Sequence, residues 1–357
     1  MITILYSAII VTAIFLITFF KTKFSSSGEF FEDSMSLDNT LPLRGIFAVI
    51  IATHHFSSEF AEPYLLGIFT HIGYMFVALF FFLSGYGLAF GYNRSQNYLR
   101  PKSFLPKRFF NTVLPYWICL LFTAFFRAVL LSQTSISDFL LSFIFIRSIV
   151  KYSWYVYIIL MMYAAFMVIF RIRNRKISMI LMFVFTAAVM IVFIVKGNSI
   201  PARSTLSFYL GMLYCFYKEK IDSYIKKRFM LNALAVSIIF AAFCAARYFS
   251  VVRGSIIADI LFAILSSSVF SVFVFVFAIK KVRIGNRLLC MLGNASYEIY
   301  LLHGLFCDVF RFLNTNMLLY FLAVIICSVL SAAALKALSS RINGMVFKKL
   351  PQGKKTV

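Results

Sequence analysis

Long apolar runs alternate with short polar segments along almost the whole chain. A helix that crosses a membrane needs about 20 mostly apolar residues, and the runs have that length. None of the polar segments is long enough to form a soluble domain. The pattern therefore predicts eleven transmembrane helices, which are expected at residues 2–20, 43–59, 67–91, 109–131, 153–170, 178–195, 203–217, 230–249, 256–279, 288–311 and 317–339.

Two apolar stretches need a separate interpretation. Residues 134–150 are apolar, but Asp138 and Arg147 interrupt them, so we expect an interfacial or re-entrant helix there. Residues 1–20 have no basic region before the apolar core, and the SSSGEF segment that soon follows lacks a small-residue cleavage pattern. We therefore expect an extra N-terminal transmembrane helix within residues 1–22, and not a cleaved signal peptide.

The composition narrows the class of protein. Hydrophobic residues make up 62% of the chain and charged residues 13%, whereas a soluble domain is about half apolar and about a quarter charged. A soluble enzyme, a disordered chain and a fibre are therefore excluded. The expected fold class is an all-α polytopic protein of the cell (inner or plasma) membrane. The six cysteines lie in apolar runs without a CxxC pair, so we expect neither a disulfide framework nor a metal site.

The basic residues predict the orientation in the membrane. The chain has 35 Lys and Arg against 12 Asp and Glu, a formal net charge of +23. If the C-terminus is inside and the spans alternate, inside segments hold 25 of the basic residues and outside segments hold 5. Since basic residues favour the cytoplasmic side, we predict an N-out, C-in topology and no nucleic-acid partner. Residues 23–42 are then a cytoplasmic linker and residues 341–357 a basic cytoplasmic tail.

The second predicted span carries the first candidate residues. Ionisable side chains inside a membrane are costly, so each is a functional hypothesis. Arg44 and His55 are eleven residues apart, which places them about 20° from the same helix face and about 16 Å apart along the axis. His54 points about 100° away from His55. We expect Arg44 and His55 to act together; a basic anchor at one end with a histidine pair at the outer rim is the alternative.

Two more segments offer polar groups near the predicted cytoplasmic side. Ser84 and Tyr86 bring hydroxyl groups to the end of the third span, beside two glycines that favour close helix packing or the approach of a ligand. Lys107 and Arg108 stand at the start of the fourth span. They fit either a positive-inside cluster or a clamp for a phosphate-bearing cosubstrate.

The tenth span has a polar stripe. Ser296, Tyr300 and His303 follow one another at i, i+4 and i+7, so they share one helix face. His303 is interpreted either as a residue of a polar cavity or as a hydrogen-bonded histidine of the core.

Together these segments resemble the membrane-bound acyltransferase family 3. That family has a basic residue and a histidine separated by ten residues, which Arg44 and His55 match. The remaining matches, in chain order, are FFLSGY at residues 81–86, a basic helix start before a proline at residues 108–115, the pair Trp154-Tyr155, and the pattern LG-x-x-SY-x-x-YL-x-H at residues 292–303. The resemblance covers about residues 44–340.

The resemblance implies a ten-helix acyltransferase domain, here at residues 43–340, and transfer of an acyl group, usually acetyl, from acetyl-CoA. The acceptor is expected to be a hydroxyl group of a cell-surface or secreted glycan or of a lipid-linked sugar. The expected partners are acyl-CoA, this acceptor and membrane lipids. Whether the protein forms a homo-oligomer is left open. Some members of the family act on envelope glycans, and the chain is therefore expected to be an O-acetyltransferase.

Roles for the candidate residues follow from the resemblance and from their chemistry. His55 is expected to be the general base, because imidazole titrates near neutral pH. Arg44 is expected to hold an anionic part of CoA or the thioester end. The other expected roles are phosphate binding by Arg108 and Lys107, and lining of the acyl tunnel or binding of the oxyanion by Ser84, Tyr86 and His303. Asn111 departs from the family, which often has a second arginine there, so a two-arginine phosphate clamp is not expected.

The competing interpretation is a polysaccharide or lipid-linked-sugar flippase, or another secondary transporter. Such proteins also have many spans with buried arginine or histidine, but they are built from two halves with Gly- or Pro-broken helices. The sequence shows no such repeat. In a third interpretation, a sensor or scaffold, the ordered motifs would be accidental.

Overall fold

The computed structural model of the protein describes residues 2–26, 28–95, 97–132 and 135–349, with only the backbone of residues 346–349. Helices dominate this part of the chain. They are α1 (Ile2–Phe19), α2 (Leu37–Ser57), α3 (Gly67–Arg94), α4 (Pro101–Arg108), α5 (Leu114–Leu131), α6 (Ile136–Phe143), α7 (Trp154–Ile169), α8 (Arg175–Val195), α9 (Ala202–Lys227), α10 (Phe229–Val252), α11 (Ile256–Val272), α12 (Ile279–Lys281), α13 (Arg287–Asn294), α14 (Ser296–Val309) and α15 (Met317–Lys349). The described residues also contain two short strands, β1 (Lys23–Phe24) and β2 (Val282–Arg283), two 3₁₀ helices at Tyr64–Leu66 and Arg311–Leu313, and two π-helical segments at Phe109–Val113 and Phe273–Ala278.

The described residues contain seven helical segments long and apolar enough to cross a membrane, so the prediction of a polytopic helical membrane protein is confirmed. The predicted count of eleven spans and the N-out, C-in topology stay predictions. The seven segments are Ile2–Phe19, Tyr64–Arg94, Pro101–Leu131, Arg175–Val195, Phe229–Val252, Ile256–Lys281 and Met317–Met345.

The other four predicted spans differ from these seven in recognisable ways. Helix α7 is apolar but has only 16 residues. The polar residues of helix α2 lower its mean hydropathy. Helix α9 ends in a charged segment beyond a kink at Tyr217. The predicted span 288–311 consists of two helices, because the chain leaves helical geometry at Ala295 (φ −106°, ψ 14°).

The doubtful stretch at residues 134–150 contains one short helix. Helix α6 has eight residues, which corresponds to a length of about 12 Å. This is well below the hydrocarbon thickness of about 30 Å, so α6 does not span a membrane by itself. Residue 134 lies outside the described residues, and an interfacial or re-entrant position stays a prediction.

The chain divides into two compact units, and the first holds the described residues up to Arg100 together with Trp154–Asn294. Its centre is the contact between α3 and α9. A side chain at Gly85 would collide with the backbone carbonyl of Phe208, and one at Gly211 would collide with the carbonyl of Phe82. The two glycines therefore allow the helix backbones to approach closely, as small residues do in membrane helices.

One part of this unit is a two-stranded sheet with its ion pair, which we call the clasp. Strands β1 and β2 pair antiparallel, with Lys23 opposite Arg283, and Arg283 forms an ion pair with Asp33. The amide of Asn286 donates to the carbonyl of Ile17 in α1 at 2.9 Å. The stretch predicted as a linker, residues 23–42, thus contains β1 and the first turns of α2, which starts after the N-cap Ser36.

The second unit holds Pro101–Ser153 and the described residues from Ala295 onward. Helix α6 packs on α5 through aromatic side chains. Trp117 stacks on Phe143 with 4.3 Å between the ring centroids, and its indole nitrogen donates to the Phe143 carbonyl at 3.0 Å. The hydroxyl of Tyr116 donates to the carbonyl of Ser142 at 3.1 Å. These bonds satisfy carbonyl groups at the end of α6.

Candidate active site

Arg44 lies near the start of α2, in the first unit. Among the described residues no carboxylate forms an ion pair with it. Its guanidinium interacts electrostatically with Tyr155 and Tyr163 of α7. Its Nε atom is enclosed and makes no hydrogen bond within the described part of the chain. A cation held in this way retains its capacity to bind an anion or a carbonyl oxygen, because none of the described carboxylates neutralises it.

Ser84 belongs to the same cluster. Its hydroxyl oxygen lies 3.1 Å from the hydroxyl oxygen of Tyr155, and the ring of Phe81 packs on Tyr155 at 4.7 Å. Helices α2, α3 and α7 therefore bring Arg44, Ser84, Tyr155 and Tyr163 together. We call these four residues the arginine–tyrosine cluster.

Tyr86 lies on a different face of α3 from Ser84. Two positions along a helix correspond to a rotation of about 200°. The Tyr86 ring lies 6.0 Å from the ring of Tyr214 in α9 and 6.2 Å from that of Phe90. The structure thus brings Ser84, and not Tyr86, to the arginine–tyrosine cluster; a role of Tyr86 in binding stays a prediction.

The two neighbouring histidines of α2 have different surroundings. Nδ1 of His54 lies 2.8 Å from the carbonyl oxygen of Phe69 at the start of α3. A carbonyl only accepts hydrogen bonds, so Nδ1 carries the proton in this contact. The His54 ring fits against α3 because Gly73 has no side chain there. The ring of His55 lies beside it, with 4.6 Å between the centroids. His54 is therefore held in a contact with α3, and the role of His55 stays a prediction.

In the second unit, Lys107 and Arg108 end α4. Lys107 is exposed, whereas Arg108 is half-buried with its guanidinium 5.1 Å above the ring of Phe104. The next five residues, Phe109–Val113, form a π-helical segment. Tyr297 donates its hydroxyl to the Thr112 carbonyl in this segment at 3.0 Å. Single π-turns inside α-helices are frequent at functional sites, because they redirect side chains and leave carbonyl groups to outside partners.

His303 is fully buried in α14. Its Nδ1 lies 3.3 Å from the carbonyl oxygen of Ile299, one turn earlier. Its ring stacks on Tyr152 at 5.5 Å with an interplanar angle of 11°, and Tyr300 donates its hydroxyl to the Tyr152 carbonyl. These contacts are those of a histidine packed into the core of the unit, and its part in a reaction stays a prediction.

A sequence model of a known protein family, described as an acyltransferase domain, matches residues 43–337. The match covers most of the chain and begins directly before Arg44. The chain belongs to the acyltransferase 3 family. The resemblance drawn from the five motifs is thereby confirmed, and every candidate residue lies within the matched region. No significant match was found among curated proteins or among solved structures.

Membership of the acyltransferase 3 family identifies the protein as a multi-pass membrane acyltransferase and gives the arginine–tyrosine cluster a chemical context. Acyl donors carry a carbonyl group and often a charged carrier, and a guanidinium with free donors binds both. Within the described residues no group of three or more His, Cys, Asp or Glu side chains is arranged to hold a metal ion. The donors around Arg44 are hydroxyl groups, which orient a ligand by hydrogen bonds.

Two polar residues of this acyltransferase 3 protein were not among the predicted site residues. Tyr163 joins the arginine–tyrosine cluster, and its spacing of eight residues from Tyr155, two helical turns, is the only signal in the sequence. Glu298 is fully buried and forms an ion pair with Lys336 at 3.3 Å. A carboxyl group inside the predicted tenth span was a signal for this pair, because such a charge requires a partner.

Proposed function

We propose that the protein transfers an acetyl group from acetyl-CoA, which binds from the cytoplasmic side, to a hydroxyl group of a cell-surface or secreted glycan. The observation that carries the proposal is the environment of Arg44 within a confirmed acyltransferase 3 domain. Its guanidinium is next to tyrosine hydroxyls and has an enclosed Nε without a hydrogen bond in the described chain. This is the setting of a group that binds a ligand with a negative charge or a polarised carbonyl.

The transfer requires a base for the acceptor hydroxyl, which is a poor nucleophile. We assign this role to His55, whose neutral imidazole takes the proton as the hydroxyl oxygen attacks the thioester carbonyl carbon. The carbon–sulfur bond then breaks, and the proton passes on to the CoA thiolate. The products are the acetyl ester of the glycan and free CoA.

The spacing along α2 separates the roles of Arg44 and His55. Their distance along the helix axis is about 16 Å, so both side chains do not act on the same carbonyl group. If His55 acts at the acyl carbon, Arg44 holds an anionic part of CoA further toward the cytoplasm. The remaining predicted roles are unchanged in the proposal: Lys107 and Arg108 bind nucleotide phosphates, and Ser84, Tyr86 and His303 line the acyl path.

Labelled acetyl-CoA in isolated membranes tests the proposal. Wild-type membranes transfer label to an acceptor glycan, and Arg44→Ala lowers this transfer about 10–100-fold, since a hydrogen bond to a charged group contributes about 1.5–3 kcal/mol. Arg44→Lys keeps the charge but loses the planar fork, so we expect partial activity. Arg287→Ala is the matched control, because Arg287 is an exposed basic residue of the same unit.

Two outcomes would contradict the proposal in different ways. Full activity of Arg44→Ala at normal membrane abundance makes Arg44 a topological anchor. If wild-type membranes move a lipid-linked sugar but release no CoA from acetyl-CoA, the flippase interpretation replaces the transferase.

A further inference from the structure

A second polar site lies in the first unit, away from the arginine–tyrosine cluster. A cavity of about 530 Å³ is formed where the segment after β1, the connection between α9 and α10, and α12 meet. It is lined by residues of the stretch predicted as a linker, by basic residues of the predicted cytoplasmic side and by apolar residues at the start of α10: Ser25, Ser26, Gly28, Phe30, Lys226, Arg228, Lys281, Phe229, Met230 and Leu231. We call it the basic cavity.

The basic cavity concentrates positive charge. Lys226, Arg228 and Lys281 line it, and the described lining residues include no Asp or Glu. Among the described residues none of these three cations has an ion pair. Lys281 donates to the backbone carbonyls of Ser26 and Glu29 instead. Carbonyl oxygens orient an ammonium group but leave its charge available.

Lys280, the residue before Lys281, differs from the three cations of the cavity because its charge is neutralised. It is buried and bonds to the carboxylate of Asp222 at 2.8 Å, and Lys218 bonds to the same carboxylate at 2.9 Å. Asp222 therefore neutralises lysines beside the cavity, and not those that line it.

Aromatic rings hold two of the cations in place. The ammonium of Lys281 lies 4.4 Å from the ring centroid of Phe30 and 5.7 Å from that of Phe229, and Lys226 lies 5.6 Å from Phe30. The two rings meet edge to face at 4.9 Å. Cation–π contacts restrict a lysine without cancelling its charge, so the cavity is preorganised for an anion.

We propose that the basic cavity binds the phosphate group of a phosphate ester. Three cations around one cavity, two from the α9–α10 connection and one from α12, fit the several oxygens of a phosphate. A topological role alone requires the charges on one side of the membrane, but neither a cavity nor ring contacts. Two ligands present this group at a membrane surface: coenzyme A through its 3′-phosphate, with its diphosphate left to Lys107 and Arg108, and an anionic phospholipid through its headgroup. Only the coenzyme A source rests on the proposed acetyl transfer.

Binding to the purified full-length protein in nanodiscs tests the proposal. The probes are coenzyme A, dephospho-CoA and, in a second arm, phosphatidylglycerol compared with phosphatidylcholine in the disc. The test variant is Lys226→Gln with Arg228→Gln. The matched control is Lys227→Gln with Lys220→Gln, which also removes two exposed basic residues of this region, neither of which lines the cavity.

We expect the test variant to bind its phosphate ligand at least about tenfold more weakly than the control, since hydrogen bonds to charged groups are lost. Loss of coenzyme A affinity, smaller for dephospho-CoA, supports the nucleotide source. Loss of selectivity for phosphatidylglycerol at unchanged coenzyme A affinity supports the lipid source. If both variants bind all probes like the wild type, or if the control loses as much as the test variant, the proposal is overturned. Labelled acetyl transfer by the wild type is measured separately, so a failure of the proposed reaction is recognised independently.

Discussion

Helices α10 and α2 come from the same unit and differ in almost every respect. Helix α10 has 24 mostly apolar residues and buries only Ser250. Helix α2 carries Arg44, His54 and His55, buries 14 of its 21 residues, and falls outside the apolar candidate spans. In a membrane protein, apolar surface that the chain itself leaves uncovered, as on α10, is met by lipid or by a partner. A helix that its neighbours cover, such as α2, tolerates ionisable side chains.

The largest expected effect concerns the polar helix. His55→Ala lowers acetyl transfer about 10²–10⁴-fold, because the general base is lost. His54→Ala, the neighbouring control, costs less activity, because the His54 ring serves the contact with Phe69 and Gly73. Acetylation of the acceptor, normalised to protein in the membrane, measures both variants. An inactive His54→Ala beside an active His55→Ala would assign the base to His54.

The next prediction tests the lipid-facing helix. Ile239 lies near the middle of α10 and is 44% exposed, so a charge placed there is exposed to the hydrocarbon of the membrane. Ile239→Lys therefore reduces membrane insertion by about 2.5–3.5 kcal/mol, whereas Ile239→Leu changes stability by less than about 0.5 kcal/mol. A membrane-insertion assay of the two variants measures the difference. Equal insertion would mean that α10 is covered by a partner in the membrane.

A smaller effect is expected at the contact that supports the buried helices. Gly85→Ala destabilises the unit by about 1–3 kcal/mol, because the added methyl group meets the Phe208 carbonyl of α9. Gly87→Ala is the control two residues further, where nothing lies within 4 Å of an added Cβ atom. Thermal unfolding in detergent compares the two. Equal melting temperatures would remove close backbone approach as the reason for glycine at residue 85.

The smallest effect concerns the arginine–tyrosine cluster. Tyr155→Phe removes the hydroxyl that contacts Ser84 and interacts with Arg44, at a cost of about 0.5–1.5 kcal/mol. Since the cluster is assigned to binding, we expect the KM for acetyl-CoA to rise while kcat changes little. A fall in kcat alone would instead place Tyr155 near the reacting atoms.

The sequence predicted that α2 carries the candidate residues Arg44 and His55, but it did not predict which groups surround Arg44. Helical periodicity separates the direction of His54 from that of His55, and the contact of His54 with α3 agrees with it. The partners of Arg44 come from α7, more than 100 residues later in the chain. No local pattern encodes such a contact, because it depends on how helices pack.

Backbone irregularities also escaped prediction. A hydropathy pattern treats residues 288–311 as one run, but the chain breaks at Ala295. The π-helical segment Phe109–Val113 lies inside an apolar run for which the hydropathy pattern predicts a regular α-helix. The π-helical segment accepts a hydrogen bond from Tyr297 at the Thr112 carbonyl, and a hydropathy pattern contains no information on such contacts between distant residues.

The clasp formed by β1 and β2 has a consequence for biosynthesis. Asp33 and Arg283 pair across 250 residues of chain. At a synthesis rate of about 5–20 residues per second, the partner of the N-terminal segment emerges roughly 12–50 seconds after it. During that interval the N-terminal segment lacks its partner strand, so Lys23, Phe24 and Asp33 are without the contacts of the clasp. Ribosome-bound chains halted before residue 283 would leave this segment open to protease, and longer chains would protect it.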